Sequence, residues 1–468
     1  MIRIQKQKAK EFHTASAASP KEYLNTALQA ERYLADNMVE TAEGIYWRTV
    51  PNGMIHDESA DLMNQMGLYG GSSGILYFYL KLYQVTREKK YLQIIKKAVS
   101  YLCFRLPQVL PEEVRTLEEA KAGVSLDIGI LGVAGIGFVL EEVYECFPSE
   151  KVEKALATIK DFYLKHRKQQ GNFTCWTGST TMITDSAVVL FLIKYHSVFP
   201  KEEIDKVIRS AGEWYLTKRI LMKDGMVRYA GLECVWEGIK PNFEVGTAGT
   251  GYVLAKLYEY TGDIRYLETA KQCALFLHNC RIPQAKGALI PFRLEQEPDS
   301  SEVIFSQKDT LCYLGTCSGP AGTCRFFYLL YRLTGEADYL QEIRDLVDGM
   351  EAVGAPERQS PGLWGNVNFC CGHAGILQFF IALYQALGEE HFRELAVRTA
   401  GVILGEKQES GDGAVSWRIA TERIKPELQS APLGYYMGAA GIASSLLQIY
   451  LSETGKFDWK RLPDDPFL

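Results

Sequence analysis

One motif recurs seven times along the 468 residues of this chain, with 51 to 73 residues between successive copies. In six copies, two glycines three positions apart precede an apolar stretch, and a tyrosine lies nine residues after the second glycine. The six copies occupy 71–83, 132–144, 246–258, 319–331, 372–384 and 438–450. A seventh copy, 183–195, keeps the apolar stretch and the tyrosine but lacks both glycines. Repetition of this kind indicates a fold built from stacked supersecondary units.

Each copy predicts a tight turn followed by a helix that is buried on most sides, because nearly every residue after the glycines is apolar. The glycines suit a close approach of the backbone where that helix begins. A short polar connection follows the tyrosine, and then a helix with periodic charges, as in 263–280 and 336–350. Such a helix is typical of a solvent-facing position. Residues 21–38 predict one further helix of this outer kind.

The chain is therefore expected to be all-α, an α/α toroid of seven inner and seven outer helices. The first outer helix should close the ring against the last inner one. Residues 21–455 are assigned to this single domain, with an N-terminal tail at 1–20 and a C-terminal tail at 456–468. The long connections should crowd the face where the inner helices begin, which we call the mouth. Loops on a rigid scaffold often carry function, and helix N-termini favour negative charge there.

Composition and charge narrow the class of protein. The chain is 47% hydrophobic and 23% charged, which is typical of a globular protein with a large core. It has no apolar run near the roughly 20 residues of a membrane span, and its N-terminus lacks the apolar stretch of a secretory signal. We therefore expect a cytoplasmic protein with no membrane span. The net charge of −6, without a basic block, argues against nucleic-acid binding.

Three of the 11 cysteines lie at the turns of two adjacent repeats. Cys317 precedes the first glycine of one turn by two residues, and Cys370 and Cys371 directly precede that of the next. Because the repeats superpose, Cys317 and Cys370 should be equivalent on neighbouring inner helices, with Cys371 and His373 close by. Thiolate and imidazole ligands in such a group favour tetrahedral zinc.

The other eight cysteines are expected to be small apolar residues of the core, because most of them fall on predicted helices. They are Cys103, Cys146, Cys175, Cys234, Cys273, Cys280, Cys312 and Cys324.

These turns resemble those of the lanthionine synthetase C-like (LanC-like) family, over about 21–450. The resemblance implies an α/α toroid that binds Zn²⁺ through Cys317, Cys370 and Cys371, with a fourth position open. Most relatives have Cys-His-Gly at the second turn, whereas a Cys-Cys-Gly variant, as here, occurs in some lanthipeptide synthetases. His373 would then be a neighbour of the metal or an alternate ligand.

The resemblance also implies an activity. A zinc-bound peptide thiol would add to dehydroalanine or dehydrobutyrine and form a (methyl)lanthionine thioether ring. The implied partners are a dehydrated precursor peptide and a separate dehydratase, since this chain has no room for a dehydratase domain.

The residue that protonates the resulting enolate stays open. Relatives usually have histidine where this chain has Val245, arginine where it has Tyr313, and an aromatic residue where it has Ser318. Histidine is the usual acid–base group near neutral pH, which favours His373. The candidates, all expected at the mouth, are His373, Asp127, Glu244 and Tyr313.

Other functions compete with the cyclase. A LanC-like protein that has lost the acid could be a non-catalytic, peptide-binding or scaffold protein. The same chemistry with another nucleophile would add glutathione to dehydroamino acids. Zinc prenyltransferases and toroidal glycosidases share the architecture, but the former usually have mixed Asp/Cys/His sites and the latter have no need of paired cysteines.

Overall fold

The computed structural model describes residues 11–15, 18–48, 62–120, 126–232, 237–296, 303–305, 311–358, 366–422 and 425–467. Its α-helices are α1 (Pro20–Asp36), α2 (Leu62–Met66), α3 (Ser72–Thr86), α4 (Lys89–Val109), α5 (Leu117–Ala120), α6 (Val133–Cys146), α7 (Glu150–His166), α8 (Asp185–Val198), α9 (Glu202–Thr217), α10 (Thr247–Thr261), α11 (Ile264–Asn279), α12 (Pro320–Thr334), α13 (Ala337–Ala352), α14 (His373–Leu387), α15 (Glu390–Gly405) and α16 (Ala439–Glu453). Short 3-10 helices span Leu126–Ile128 and Lys223–Gly225.

Seven of the longer helices form an inner ring, in the order α3, α6, α8, α10, α12, α14 and α16. Each contacts the next, and α16 contacts α3 to close the ring. The outer helices α4, α7, α9, α11, α13 and α15 each pack against the inner helix that precedes them, and α1 packs against α16. The predicted all-α toroid of seven inner and seven outer helices is confirmed, including its closure between the two ends of the chain.

The inner helices can carry apolar residues on every side because neighbouring helices bury them. The first eleven residues of α12 and of α14 are buried without exception. Outer helices bury one face only, as α9 does with Ile204, Val207 and Ile208. Gly262, Gly335 and Gly388, with φ of 71 to 72°, end three of the inner helices in the left-handed conformation that suits glycine.

The repeated glycines are required by the way each connection folds back over the start of its inner helix. A Cβ atom on Gly322 would lie 1.8 Å from the carbonyl oxygen of Thr316, and one on Gly375 would lie 2.2 Å from that of Phe369. No side chain fits at such distances. The predicted close approach of backbone at these turns is therefore confirmed.

The connections that reach the inner helices contain β-structure that helical periodicity did not reveal. The seven antiparallel hairpins within the described residues pair β1 (Met38–Thr41) with β2 (Gly44–Trp47), β3 (Lys168–Gln170) with β4 (Phe173–Cys175), β5 (Ile220–Leu221) with β6 (Val227–Arg228), β7 (Ile282–Pro283) with β8 (Ala288–Leu289), β9 (Glu295–Gln296) with β10 (Val303–Ile304), β11 (Gln408–Glu409) with β12 (Val415–Ser416), and β13 (Ile419–Glu422) with β14 (Lys425–Ser430). Most of these strands have only two to four residues, too few for an alternating pattern to stand out.

The segment 456–467 lies inside the ring, whereas the repeat pattern predicts a tail outside the domain. Asp464 forms a buried ion pair with Arg325 of α12. Lys81 and Arg332, near the C-terminal ends of inner helices, donate hydrogen bonds to backbone carbonyls of this segment. The segment thus fills the centre of the ring at the end opposite the mouth. Its buried apolar side chains are Trp459, Leu462 and Phe467.

Among the described helices, none is both long enough and apolar enough to cross a membrane.

Candidate metal centre at the mouth of the ring

A belt of seven equivalent residues surrounds the mouth. Each lies two positions before the residue that caps the N-terminus of an inner helix. Six backbone hydrogen bonds of 2.9 to 3.2 Å join them, each from the amide of one member to the carbonyl of the next. In ring order, this mouth belt consists of Ile130, Met182, Glu244, Cys317, Cys370, Tyr436 and Tyr69. The belt provides hydrogen-bond partners for backbone amides and carbonyls at the turns. It also places Cys317 directly beside Cys370, as the repeat predicts.

The belt brings three sulfur atoms together. The Sγ atoms of Cys317 and Cys371 are 3.5 Å apart, and those of Cys370 and Cys371 are 3.4 Å apart. All three lie within 4.8 Å of one another. Thiolates on a tetrahedral zinc ion, with Zn–S bonds of about 2.3 Å, lie about 3.8 Å apart. A small outward movement of the thiols would therefore make this group a three-sulfur zinc site.

Ionisation of one of the three thiols opposes ionisation of the other two. Hydrogen bonding from Cys370 and then Cys371 lowers the pKa of Cys317 well below its ordinary value. The interaction with Cys317 in turn raises the pKa of Cys370 and of Cys371 well above theirs. A divalent cation removes this repulsion and favours deprotonated sulfur ligands. The donor set thus fits zinc and accounts for three of its four usual ligands.

Two side chains fix the turns that carry the cysteines. The Thr316 hydroxyl, one residue before Cys317, donates a 2.8 Å hydrogen bond to the carbonyl of Cys370. The Oδ1 atom of Asn368 accepts a 3.1 Å hydrogen bond from the amide of Cys371. These contacts orient the sulfurs from outside the metal site, as partners behind metal ligands commonly do.

Two aromatic residues of the mouth were not predicted as part of the site. The rings of Tyr69 and Tyr436 stack with their centroids 5.4 Å apart. Burial, followed by the negative charge of Cys370 and other groups at the mouth, raises the pKa of Tyr69 well above its ordinary value. Both tyrosines occupy the repeat position of Cys317 and Cys370, so comparison of that position across all seven copies would have found them.

His373 begins α14 but is separated from the sulfurs. Its Nδ1 lies 3.2 Å from the carbonyl oxygen of Asn366, and its Nε2 lies 2.8 Å from that of Pro356. Its ring packs edge-on against Phe12, with centroids 4.4 Å apart. Because each nitrogen lies within hydrogen-bond distance of a carbonyl oxygen, neither is directed at the sulfurs as a metal ligand. The group of potential ligands found among the described residues here contains the three cysteines alone.

Glu244 is the candidate acid that the structure places beside the cysteines. It precedes Cys317 in the mouth belt, and its amide donates a 3.0 Å hydrogen bond to the Cys317 carbonyl. Its side chain is only partly exposed. Burial, and then the negative charge of Cys317, raises the pKa of Glu244 to about 8. A carboxylic acid that keeps its proton near neutral pH is suited to proton donation.

The other two candidates, Asp127 and Tyr313, have different surroundings. Asp127 is in the 3-10 helix before α6, three places from α12 around the inner ring, and is exposed. The protein around it still raises the pKa of Asp127 by desolvation. Tyr313 is buried, with its ring edge-on to Phe292 at a centroid distance of 4.9 Å.

The remaining cysteines of the described residues lie outside this cluster. Cys273, Cys280 and Cys324 are buried as expected, while Cys175 is buried on strand β4 and not on a helix. Three others, Cys103, Cys146 and Cys312, are partly buried and pack against the edge of the core. Cys234 lies outside the described residues.

Comparisons with known proteins identify the family to which this chain belongs. Residues 63–119 and 246–462, more than half of the chain, match the model of the lanthionine synthetase C-like protein family. The LanC-like protein GCL1 of Arabidopsis thaliana is 29% identical over 157 residues, which are 32% of this chain and 31% of that relative. The structure of nisin cyclase superposes with a TM-score of 0.59 at 14% identity, over 83% of this chain and 90% of that one. This chain belongs to the lanthionine synthetase C-like family.

Proposed function

We propose that this protein is a zinc-dependent enzyme that closes (methyl)lanthionine rings in peptides. The observation that carries the proposal is the meeting of Cys317, Cys370 and Cys371 within 4.8 Å at the mouth of the ring. Membership of the family and the shared fold with nisin cyclase support it. The proposed substrate is a dehydrated precursor peptide, which a separate dehydratase would supply in the cytoplasm.

The three cysteines would hold the metal and leave its fourth position to the substrate. The chemistry that zinc supplies when bound is a lowered pKa for a thiol ligand, so that a peptide cysteine reacts as thiolate near neutral pH. Cys317 and Cys371 are partly exposed, whereas Cys370 is buried. The open side of the site is therefore the side from which a peptide can approach.

The addition requires a proton donor as well as a nucleophile. The substrate sulfur forms a bond to the β-carbon of the dehydro residue, and the electron pair of the double bond moves into an enolate. A proton must then reach the α-carbon, and the proton that the thiol loses on ionising returns through solvent to the donor. We assign this step to Glu244, because it is the neighbour of Cys317 in the mouth belt and burial keeps it protonated. Tyr69 and Tyr436 would form the aromatic wall on the far side of the cysteines.

The proposal is tested with zinc-loaded protein and a dehydrated peptide that contains cysteine. Free thiols of the peptide should disappear while its mass stays constant, because the addition is an isomerisation. Cys317→Ala and Cys371→Ala should lose both the zinc and the activity. Glu244→Gln should keep the zinc but slow the reaction by about 10²- to 10⁴-fold.

Cys312→Ala is the matched control, since burial raises the pKa of that thiol to about 12 and it lies outside the sulfur cluster. It should keep both zinc and activity. One zinc per chain in both Cys317→Ala and Cys371→Ala would contradict the metal site. Zinc binding without consumption of peptide thiol would instead favour a non-catalytic, peptide-binding protein. Consumption of glutathione in place of the peptide thiol would identify the other nucleophile.

A further inference from the structure

Two neighbouring inner helices hold one short stretch of the C-terminal segment in the centre of the ring. The Tyr252 hydroxyl of α10 donates a 2.8 Å hydrogen bond to the carbonyl of Pro463. Arg325 of α12 forms its ion pair with Asp464, and both side chains are almost fully buried. Tyr252 and Arg325 occupy the same position of the repeat, three residues after the second glycine. The repeat therefore directs both side chains to the same stretch of chain.

The same two side chains also enclose the ring of Phe243. The Arg325 guanidinium lies over this ring, with Cζ 5.6 Å from its centroid. The Tyr252 ring packs edge-on against it at a centroid distance of 5.4 Å. Phe243 is buried, and cation–π and edge-to-face contacts have preferred geometries. Together these contacts favour one orientation of the Phe243 ring.

The backbone of Phe243 is confined as well. A Cβ atom on Gly249 of α10 would lie 1.9 Å from the Phe243 carbonyl oxygen, and one on Gly322 of α12 would lie 3.0 Å from the Phe243 Cβ. The next residue is Glu244, whose amide and carbonyl are both hydrogen-bonded in the mouth belt. The buried ion pair of the C-terminal segment also interacts electrostatically with the Glu244 carboxyl. Phe243 thus connects the C-terminal segment with the mouth.

A proton donor must be held in a defined place to deliver its proton to one face of an enolate. We propose that Phe243 is a positioning residue, which the C-terminal segment holds through Arg325 and Tyr252 so that the Glu244 carboxyl faces the reacting carbon. This inference rests on the proposed function, because it concerns the surroundings of the acid assigned there. It makes the stretch 463–464 a part of the reaction site, although that stretch is far from the mouth belt in sequence.

Phe243→Leu tests this role, because it keeps an apolar side chain but removes the aromatic ring. With zinc-loaded protein and the dehydrated peptide, kcat should fall about 10- to 100-fold while KM stays near its wild-type value, since the change displaces the acid and leaves peptide binding intact. The wild type should give one configuration at the α-carbon, and Phe243→Leu should give a mixture. The diastereomer ratio, measured by chiral chromatography after hydrolysis, does not depend on how much of the protein is folded.

Phe276→Leu is the matched control. Phe276 is a fully buried phenylalanine of the outer helix α11, and its ring also packs edge-on against another ring. This variant should lose stability in the same way but keep the wild-type kcat and a single configuration. Tyr252→Phe removes only the hydrogen bond to Pro463. It should shift the diastereomer ratio in the same direction as Phe243→Leu, and it provides the test if Phe243→Leu does not fold.

Three results would overturn the positioning role. The first is an unchanged kcat and a single configuration in Phe243→Leu, or in Tyr252→Phe where the former does not fold, and this result leaves the proposed cyclase intact. The second is an equal loss in Phe243→Leu and Phe276→Leu, because the effect would then follow from stability alone. The third is a wild type that consumes no peptide thiol, which overturns the proposed function as well.

Discussion

Glu244 occupies a repeat position whose residue type differs from one copy to the next, and here it lies next to Cys317 in the mouth belt. The same position is apolar in Ile130 and Met182, on the side of the mouth belt away from the cysteines. Next to Cys317 it is a glutamate whose pKa is raised to about 8 by burial and by the neighbouring sulfur. The belt therefore places a protonated acid and the thiols within one arc of the mouth.

This raised pKa predicts a pH-dependent stability of the metal-free protein. Below an ordinary glutamate pKa of 4.5, Glu244 is protonated in both the folded and the unfolded chain. Between 4.5 and about 8 the folded chain retains the proton that the unfolded chain releases, so stability falls as pH rises through this window. Urea titrations across the window should show this decline, and Glu244→Gln should make it shallower.

Glu237→Gln is the control for that measurement, because the Glu237 side chain is 95% exposed. The stability of Glu237→Gln should decline with rising pH as steeply as that of the wild type. Equal slopes in wild type and Glu244→Gln would show that Glu244 titrates normally, and the assignment of the proton to this residue would fail.

Gly375, in the first turn of α14, connects the repeat to the cysteine cluster. A Cβ on Gly375 would lie 2.2 Å from the carbonyl of Phe369 and 2.6 Å from Cγ2 of Thr316, which orients Cys370. Gly375→Ala must therefore push the cysteine turns apart. We expect it to lower the free energy of unfolding by about 1–3 kcal/mol and to weaken zinc binding, as measured by competition with a chelator.

Gly388→Ala separates the two effects of that substitution. Gly388 ends the same helix with φ of +71° and has open space around it, so alanine there costs about 1–2 kcal/mol of backbone strain without touching the mouth. This variant should be less stable but should bind zinc like the wild type. If both variants bind zinc equally well, the tight turn is needed for packing alone.

The ring as a whole depends on its C-terminal segment. The side chains of Arg325 and Asp464 are 6% and 4% exposed and form an ion pair between residues far apart in sequence. Asp464→Asn leaves the Arg325 charge buried without its paired carboxylate, although Asp465 at 3.9 Å and Glu244 still interact with it. We expect a loss of about 3–5 kcal/mol in the free energy of unfolding, measured by denaturant titration. Asp458 is an exposed acid in the same segment, so Asp458→Asn should leave the free energy of unfolding almost unchanged. A similar loss of stability in both variants would mean that the segment needs only its net negative charge.

The sequence alone determined the ring and the group of sulfurs. Seven apolar helices that are too hydrophobic to face water must cover one another, and paired glycines mark where each begins. Because the repeats are equivalent, Cys317 and Cys370 had to meet on neighbouring helices, and this geometry needed no information beyond the spacing.

Tertiary structure alone decided what surrounds those sulfurs. The carbonyls of Pro356 and Asn366 hold His373 away from the cysteines, and the hydrogen bond between Glu244 and Cys317 joins two connections distant in sequence. The segment 456–467 fills the ring through contacts such as that of Asp464 with Arg325. Periodicity records which side of a helix is buried, but it holds no information on the partner of an isolated polar side chain, which depends on how distant parts of the chain pack.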